Sequence, residues 1–507
     1  MLVEYRTATG GVNLRGGVTT LNQDPQRPEF ALLMNVETYQ DGGLVGQQGN
    51  TQLNSAVSDT SAVLGIGEFK TGSSVIAVYV KASGSAYAMV EGGAADGTAI
   101  KTGLSTSAIP HFCQFNGKIL VFNGVDQPWS YDGTTAANLT GTPSAWSSTK
   151  PNFCTVHRGG RVLTAVGSEV YYCVLGNEND WTGTGSGFLS TLYGDKSPVI
   201  GLGQFGEFST IHTNNPAIYL LGGQAPTDYT VVPIASNRAA VGSKAFANIN
   251  NRQWFFTGDA IIPIEQTQLN QVQIGGDNDI GSKIKPFLYY VNNLENILPL
   301  ADSTRKDTIL VADFIRSQLL VYGKQLGSST YNITAIFNFL QGAWTFRQAT
   351  PVTTVARVGN TIMTGTSDGK ILKEFSGENL ASGALLEKKV ITSWLDFGSM
   401  FTKKQLEKFY VLADINNQVT MQVTVKQDWN RQAVQSFPVV QPVAKDVYGT
   451  GTYGTATYSG SNILDHSESI EGKFRSIQLD FDLSASDTSM KLLGYGFDVK
   501  VLDANSP

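Results

Sequence analysis

The sequence predicts an all-β chain built around a β-propeller, and three observations carry that reading. A two-stranded phrase with a turn in its middle recurs seven times, at residues 74–90, 118–131, 161–174, 208–221, 253–264, 308–322 and 361–375. Its spacing of about 43 to 55 residues suits one four-stranded blade per repeat. The composition, with 54 glycines and 10% aromatic residues, favours many short strands joined by tight turns. Seven blades are expected, with six or eight also compatible with the spacing. At 507 residues the chain exceeds what one hydrophobic core usually supports, so at least one further domain is expected.

Residues 1–60 precede the first repeat and are rich in Gly, Pro, Asn and Gln before the apolar ALLMNV. They read as an extended arm or as a segment that closes the last blade, since an amino-terminal strand can complete a propeller. The propeller itself is placed at 61–380. Its widest repeat step holds an apolar series at helical spacing within 279–298, with Phe287, Leu288, Val291 and Leu294 as the candidate contact face. Asp279 is the expected N-cap, and Pro286 is expected to bend or shorten this helix. Its stripe either packs on the propeller wall or meets a neighbouring subunit.

After Phe375 the hairpin rhythm stops, and residues 385–507 read as an antiparallel β-sandwich. Val419, Met421, Val423 and Val425 alternate with polar residues, the period of a half-buried strand. In SIQLDFDL the same rule turns Ile477, Leu479, Phe481 and Leu483 inward and Gln478, Asp480 and Asp482 outward. Between these strands, residues 430–465 form a long loop in which Tyr448, Tyr453 and Tyr458 stand in a Gly/Thr background. Loops of this length in compact domains are usually functional or disordered, and tyrosines make contact at low entropic cost, so these three are candidate partner-contact residues.

The chemistry of most enzyme and cofactor classes is missing. GLGQFG at 201–206 and GTGTYG at 449–454 match a dinucleotide-binding pattern but lack its strand-then-helix setting, so no cofactor is expected. His111, Cys113, Cys154 and His157 hold the atoms of a zinc site, yet Cys154 and His157 lie three apart and point to opposite faces of a strand. No metal site is expected, and these residues read as buried thiols and surface histidines. TSDGKILKEF lacks one residue of a sialidase-type box, and the histidines occur in no hydrolase motif. Trp129, Trp181, Trp254 and Trp344 fit blade cores better than glycan platforms. Three cysteines are too few for a disulfide framework, and the longest apolar run, near Val75–Val80, is too short to span a bilayer. A soluble product without membrane insertion is expected. Net charge is −6 with no Lys/Arg run, which argues against a specific grip on nucleic acid.

Several phrases carry a resemblance. The opening GGVNLRGG, the stretch ALLMNVETYQDGGLVGQQGN, the phrase FNGVDQPWSYDGTT, and the late pair WLDFGSMFTKKQLEKFYVLAD and KFRSIQLDFDLSASDTSMKLLGYGFDVKVL are similar to the tail nozzle, or tail hub, proteins of short-tailed bacteriophages. That resemblance implies a non-enzymatic virion protein assembled in the host cytoplasm. It also implies a homo-hexameric ring that joins an adaptor protein, docks a tail fibre or tailspike, helps retain packaged DNA and passes double-stranded DNA without binding it specifically. A glycan-binding or glycan-hydrolysing propeller and a monomeric interaction scaffold are the alternatives the residues leave open.

Overall fold

A computed structural model describes the chain except residues 1, 6–9, 15–22, 24–27, 39–42, 55–56, 92, 94–95, 159, 191–195, 267–271, 276–277, 290–296, 415–419, 431, 441–462, 484–490 and 503–507. Seven blades follow one another. The first has strands Val63–Thr71, Ser74–Lys81 and Ser85–Val90, with Lys101 bridging Ala86 at its edge. Four-stranded blades two to five begin at His111, Cys154, Val199 and Phe246. Blade six runs Ile309–Asp313, Gln318–Gly323, Ile333–Asn338 and Ala343–Arg347. Blade seven runs Thr354–Val358, Thr361–Gly365 and Ile371–Glu374, and takes its fourth strand, Asn50–Gln52, from the amino-terminal region. The ring is thus closed by a strand made more than three hundred residues before its partner, the blade-closing alternative of the arm.

The rest of the expected arm belongs to the sandwich. Leu2–Tyr5 pairs antiparallel with Lys491–Val501, and Phe30–Met34 pairs with Lys389–Thr392. One sandwich sheet centres on Lys404–Asp414 and Lys491–Val501; the other holds Lys389–Thr392, Ile477–Asp482, Thr420–Gln427 and Gln435–Val440. Phe30–Met34 also meets blade six in parallel at Met34 and Phe346, so a nine-stranded sheet runs from the propeller into the sandwich without a break. Residues 1–60 are therefore not a free arm where they are described: their apolar stretches complete both bodies.

Period-2 patterning explains the sandwich core. Met421, Val423, Val425, Ile477, Leu479 and Phe481 are fully buried, and Phe409 reaches Phe481 at 6.3 Å and Phe497 at 5.5 Å between ring centroids. Val419 lies outside the described residues. The outward set is only partly outward. Asp482 is exposed, but Gln478 and Asp480 are buried because their strand is central. Gln478 donates to the Thr392 carbonyl at 3.0 Å, and Lys389 pairs with Asp480 Oδ2 at 3.1 Å, which offsets part of the cost of burying these polar groups, while Asp480 Oδ1 has no hydrogen-bond partner among the described residues.

Blades one and four pack against the next blade through Gly-x-Gly pairs in their first strands. A Cβ on Gly67 would stand 2.3 Å from the ring of Phe112 in the next blade, and one on Gly203 would stand 2.9 Å from Phe246. Gly65 and Gly201 meet Pro110 and Phe246 in the same way. The first two glycines of GLGQFG are therefore seats for a neighbouring aromatic ring and the third, Gly206 at φ +56°, makes the turn into the next strand, which accounts for a cofactor-like pattern in a hairpin. In blade six the sequence phrase at 308–322 proves to be strands one and two, whereas in the other blades it marks strands two and three. The first strand, Ile309–Asp313, is buried at every position and so carries the same apolar signature.

A buried polar network sets the joint between the bodies. Arg347 and Glu374 are 2% and 3% exposed and pair at 2.8 Å. Arg347 also donates to the carbonyls of Gln48 at 2.8 Å and Gly49 at 2.9 Å, while Glu374 accepts from Thr364 and from Asn50. A second network holds the other edge of the closure: Lys81 and Asp96 pair at 2.8 Å, and Asn54 donates to Asp96 at 2.8 Å and accepts from the Ile371 amide at 2.7 Å. Removing one partner of a buried pair leaves an uncompensated charge, at a cost of about 3–5 kcal/mol. Arg347→Met should therefore lower the thermal unfolding midpoint markedly, and the double change Arg347→Met with Glu374→Leu should recover part of the loss; equal midpoints for wild type and Arg347→Met would contradict this account.

Candidate functional site

In each blade the first strand is innermost, so the starts of these strands surround one mouth of the central channel. A cavity of about 320 Å³ opens there, between segments that lead into blades one, two, five, six and seven. Three lysines line it: Lys244 ahead of blade five, Lys306 ahead of blade six, and Lys324 in the loop after the second strand of blade six. The carboxylate among the lining residues, Asp307, is paired with Lys324 at 3.0 Å, and Tyr331 donates to the Asp307 carbonyl at 2.6 Å beneath the Lys324 ammonium. Lys306 is exposed.

Lys244 is different. Burial lowers its ammonium from 10.5 to about 8, and no carboxylate offsets that burial. The side chain is half-buried, with its backbone carbonyl fixed by the Leu310 amide at 2.9 Å. Across the channel, His111 stands edge-on to Phe153 at 4.9 Å, and its imidazole is pushed from 6.5 to about 3 by burial and by the charge of Lys244. Thr354, 1% exposed, lines the same cavity with a hydroxyl that has no hydrogen-bond partner. The arrangement is a low-dielectric mouth with a cation, an open hydroxyl and no free carboxylate among its described lining residues. Such a place favours negative charge.

The other sequence candidates fall as follows. Cys113 and Cys154 come together from adjacent first strands, where burial and the Cys113 thiol hold the Cys154 thiol well above its ordinary range, making it a poor nucleophile. His157 points away, its ring nitrogens bonded to Ser209 Oγ at 2.9 Å and the Gly223 carbonyl at 2.8 Å. The expected surface histidines are thus corrected: His157 is buried at 1% and His111 is half-buried against Phe153. His212 is buried as well, stacked on Phe246 and accepting from the Ala240 amide. Among the described residues no group of three or more His, Cys, Asp or Glu side chains is placed to hold a metal. Trp129, Trp181, Trp254 and Trp344 are all buried blade-core residues.

The expected helix is a 3₁₀ turn, Ile280–Ile284, followed by one α-turn, Lys285–Leu288, with Pro286 in its first turn. Asp279 caps it, accepting from Gly281 at 2.9 Å and from Ile261 at 3.0 Å. Phe287 and Leu288 are fully buried, and Phe287 meets Phe346 edge-on at 5.0 Å, so the chain's own core occupies this part of the candidate contact face. Val291 and Leu294 lie outside the described residues, as do Tyr448, Tyr453 and Tyr458. Sequence reading missed Lys244 and Thr354, which carry no motif and come to line one cavity only when the ring closes.

No protein-family model matches this chain, and no curated protein does. Solved structures of similar fold include the computationally designed Ika8 protein, at 11% identity over 65% of this chain and 100% of that one with a TM-score of 0.36. Others are the WD40 β-propeller domain of Doa1, at 12% identity over 65% and 96% with a TM-score of 0.39, and BBS1N in complex with ARL6DN, at 11% over 65% and 96% with a TM-score of 0.40.

The histidines set an acid limb. Each of His111, His157 and His212 has its pKa lowered, first by burial, to about 3 in His111 and about 4 in His212. A depressed folded-state pKa contributes stability that is present above the unfolded value of 6.5 and is lost as the pH falls toward the folded value. The unfolding midpoint should therefore drop between pH 6.5 and about 4, and His111→Leu should flatten that limb; parallel curves for the two proteins would exclude the assignment for His111.

Proposed function

We propose that this chain is a structural subunit of a ring-shaped assembly, the tail nozzle of a short-tailed bacteriophage. One observation carries the reading. Phrases that resemble nozzle proteins lie at opposite ends of the sequence, yet those at the two ends supply strands to one sandwich: WLDFGSMFTKKQLEKFYVLAD pairs with KFRSIQLDFDL, Lys404 opposite Phe474 and Leu395 opposite Ile477, and ALLMNV joins the second sheet to blade six. A conduit subunit must transmit force between its parts, and a sheet continuous across two bodies does so through backbone hydrogen bonds rather than through a linker.

In this reading six copies enclose the passage and the subunit has no catalytic role. It meets an adaptor ring on one side and a fibre or tailspike on another, and it is part of the virion tail. Lateral contact between copies would draw on apolar side chains that the sandwich leaves exposed, among them Leu2, Phe401, Leu412 and Val501. The acidic balance of the chain supports passage of duplex DNA, because a basic wall would retain it through counterion release. Small lateral contacts repeated around a closed ring sum to a stable assembly.

Negative-stain electron microscopy of the purified chain, alone and with adaptor rings, tests this directly. Six-fold end-on views with an open centre are expected, and Phe401→Asp should shift the population toward single subunits. Particles that stay monomeric under both conditions would end the nozzle reading.

A further inference from the structure

We propose that the channel mouth of the propeller is a binding site for a small oxyanion, a carboxylate or phosphate group, held by Lys244 with the hydroxyl of Thr354 and with Lys306 at the rim. The inference is independent of the nozzle reading, since it concerns the channel within one subunit.

Charge count at the mouth comes first. Of the three lining ammonium groups, Lys324 is taken up by Asp307 at 3.0 Å and lies over the ring of Tyr331 at 5.0 Å. Lys306 extends into solvent. Lys244 lies deeper, without an ion pair or a side-chain hydrogen bond among the described residues, facing the imidazole of His111 and a lining carboxylate, Asp307, that is already paired with Lys324. A half-buried cation without a counter-charge is costly, and chains tend either to pair it or to keep it for a ligand.

A second observation points into the same cavity. Thr354 is 1% exposed and its hydroxyl is without a partner, although buried hydroxyls are nearly always bonded. The adjacent Thr353 hydroxyl, by contrast, donates to the Val63 carbonyl at 2.6 Å. An oxyanion accepts from both Lys244 and Thr354, so one ligand atom set answers both unmet groups. The volume of about 320 Å³ is at the small end for ligand pockets, which suits a compact anion.

The charged and titratable groups that face Lys244 are His111, Lys306, Lys324, Asp307 and Tyr331. A bound anion keeps Lys244 protonated, so affinity should weaken as the pH rises above about 8.

The test uses the full chain at fixed ionic strength. Inorganic phosphate and glucuronate are titrated against chloride by calorimetry, alongside amine-selective labelling of lysines read by mass spectrometry. The two probes separate a free phosphate from a carboxylate borne on a sugar. At least one should bind saturably, raise the unfolding midpoint and slow labelling of Lys244 several-fold, with a smaller effect at Lys306 and none on lysines outside the mouth. Lys244→Met should abolish binding while keeping a wild-type or higher midpoint in chloride, because it removes a desolvated charge. Labelling of Lys244 in the unaltered chain gives a result even if the variant folds poorly. Equal labelling of Lys244 in chloride, phosphate and glucuronate, or binding unchanged in Lys244→Met, would overturn the assignment.

Discussion

The buried pair of Arg347 and Glu374 is the constraint on which the rest of the molecule depends. A guanidinium out of water needs all its donors used, and here they are spent on Glu374 and on the backbone of Gln48 and Gly49. That choice fixes where the amino-terminal segment enters, because Asn50–Gln52 can then add to Ile371–Glu374 in a single register. The same arginine ends the last strand of blade six, whose neighbour on the sandwich side is Phe30–Met34. Ring closure, propeller-to-sandwich joint and the path of the first fifty residues therefore meet at one ion pair. A purely apolar contact at this point would be free to slide, whereas charge-assisted bonds to named carbonyls are directional.

Much of the fold was legible because its signals are local. Alternation in TMQVTVK and SIQLDFDL gave the sandwich strands, hairpin turns gave the blades, and Asp279 with Pro286 gave the start and shortness of the helical insertion. What sequence could not give is non-local. Leu2–Tyr5 and Phe30–Met34 carry strand-like patterns, but nothing in them names a partner near the other terminus, so the region read as an arm. Gln478 and Asp480 read as solvent-facing because alternation assumes one wet face, and a central strand covered on both sides breaks that assumption. His157 read as a surface residue for a related reason: polarity predicts exposure only until backbone carbonyls and aromatic rings offer partners inside.

The channel mouth was illegible on the same grounds. Lys244, His111 and Thr354 stand ahead of or within different blades, and no spacing links them along the chain. They converge because a propeller brings the beginning of every first strand to one axis. The motif-like strings were misleading in the complementary way. Gly201-x-Gly203 is a geometric requirement of blade packing, a seat for Phe246, and its likeness to a phosphate loop follows from a shared need for close approach.

The closing strand has a consequence for how the chain comes into being. Asn50–Gln52 must wait for Ile371–Glu374, and Leu2–Tyr5 must wait for Lys491–Val501, before either finds its place. At ordinary synthesis rates that interval is on the order of tens of seconds. Throughout it the ribosome carries a chain whose first-made strands have no mate and whose blades form an open arc. Completion of both bodies is thus deferred to segments made long after their mates, and a chain interrupted before Lys491 would lack the strand that receives Leu2–Tyr5.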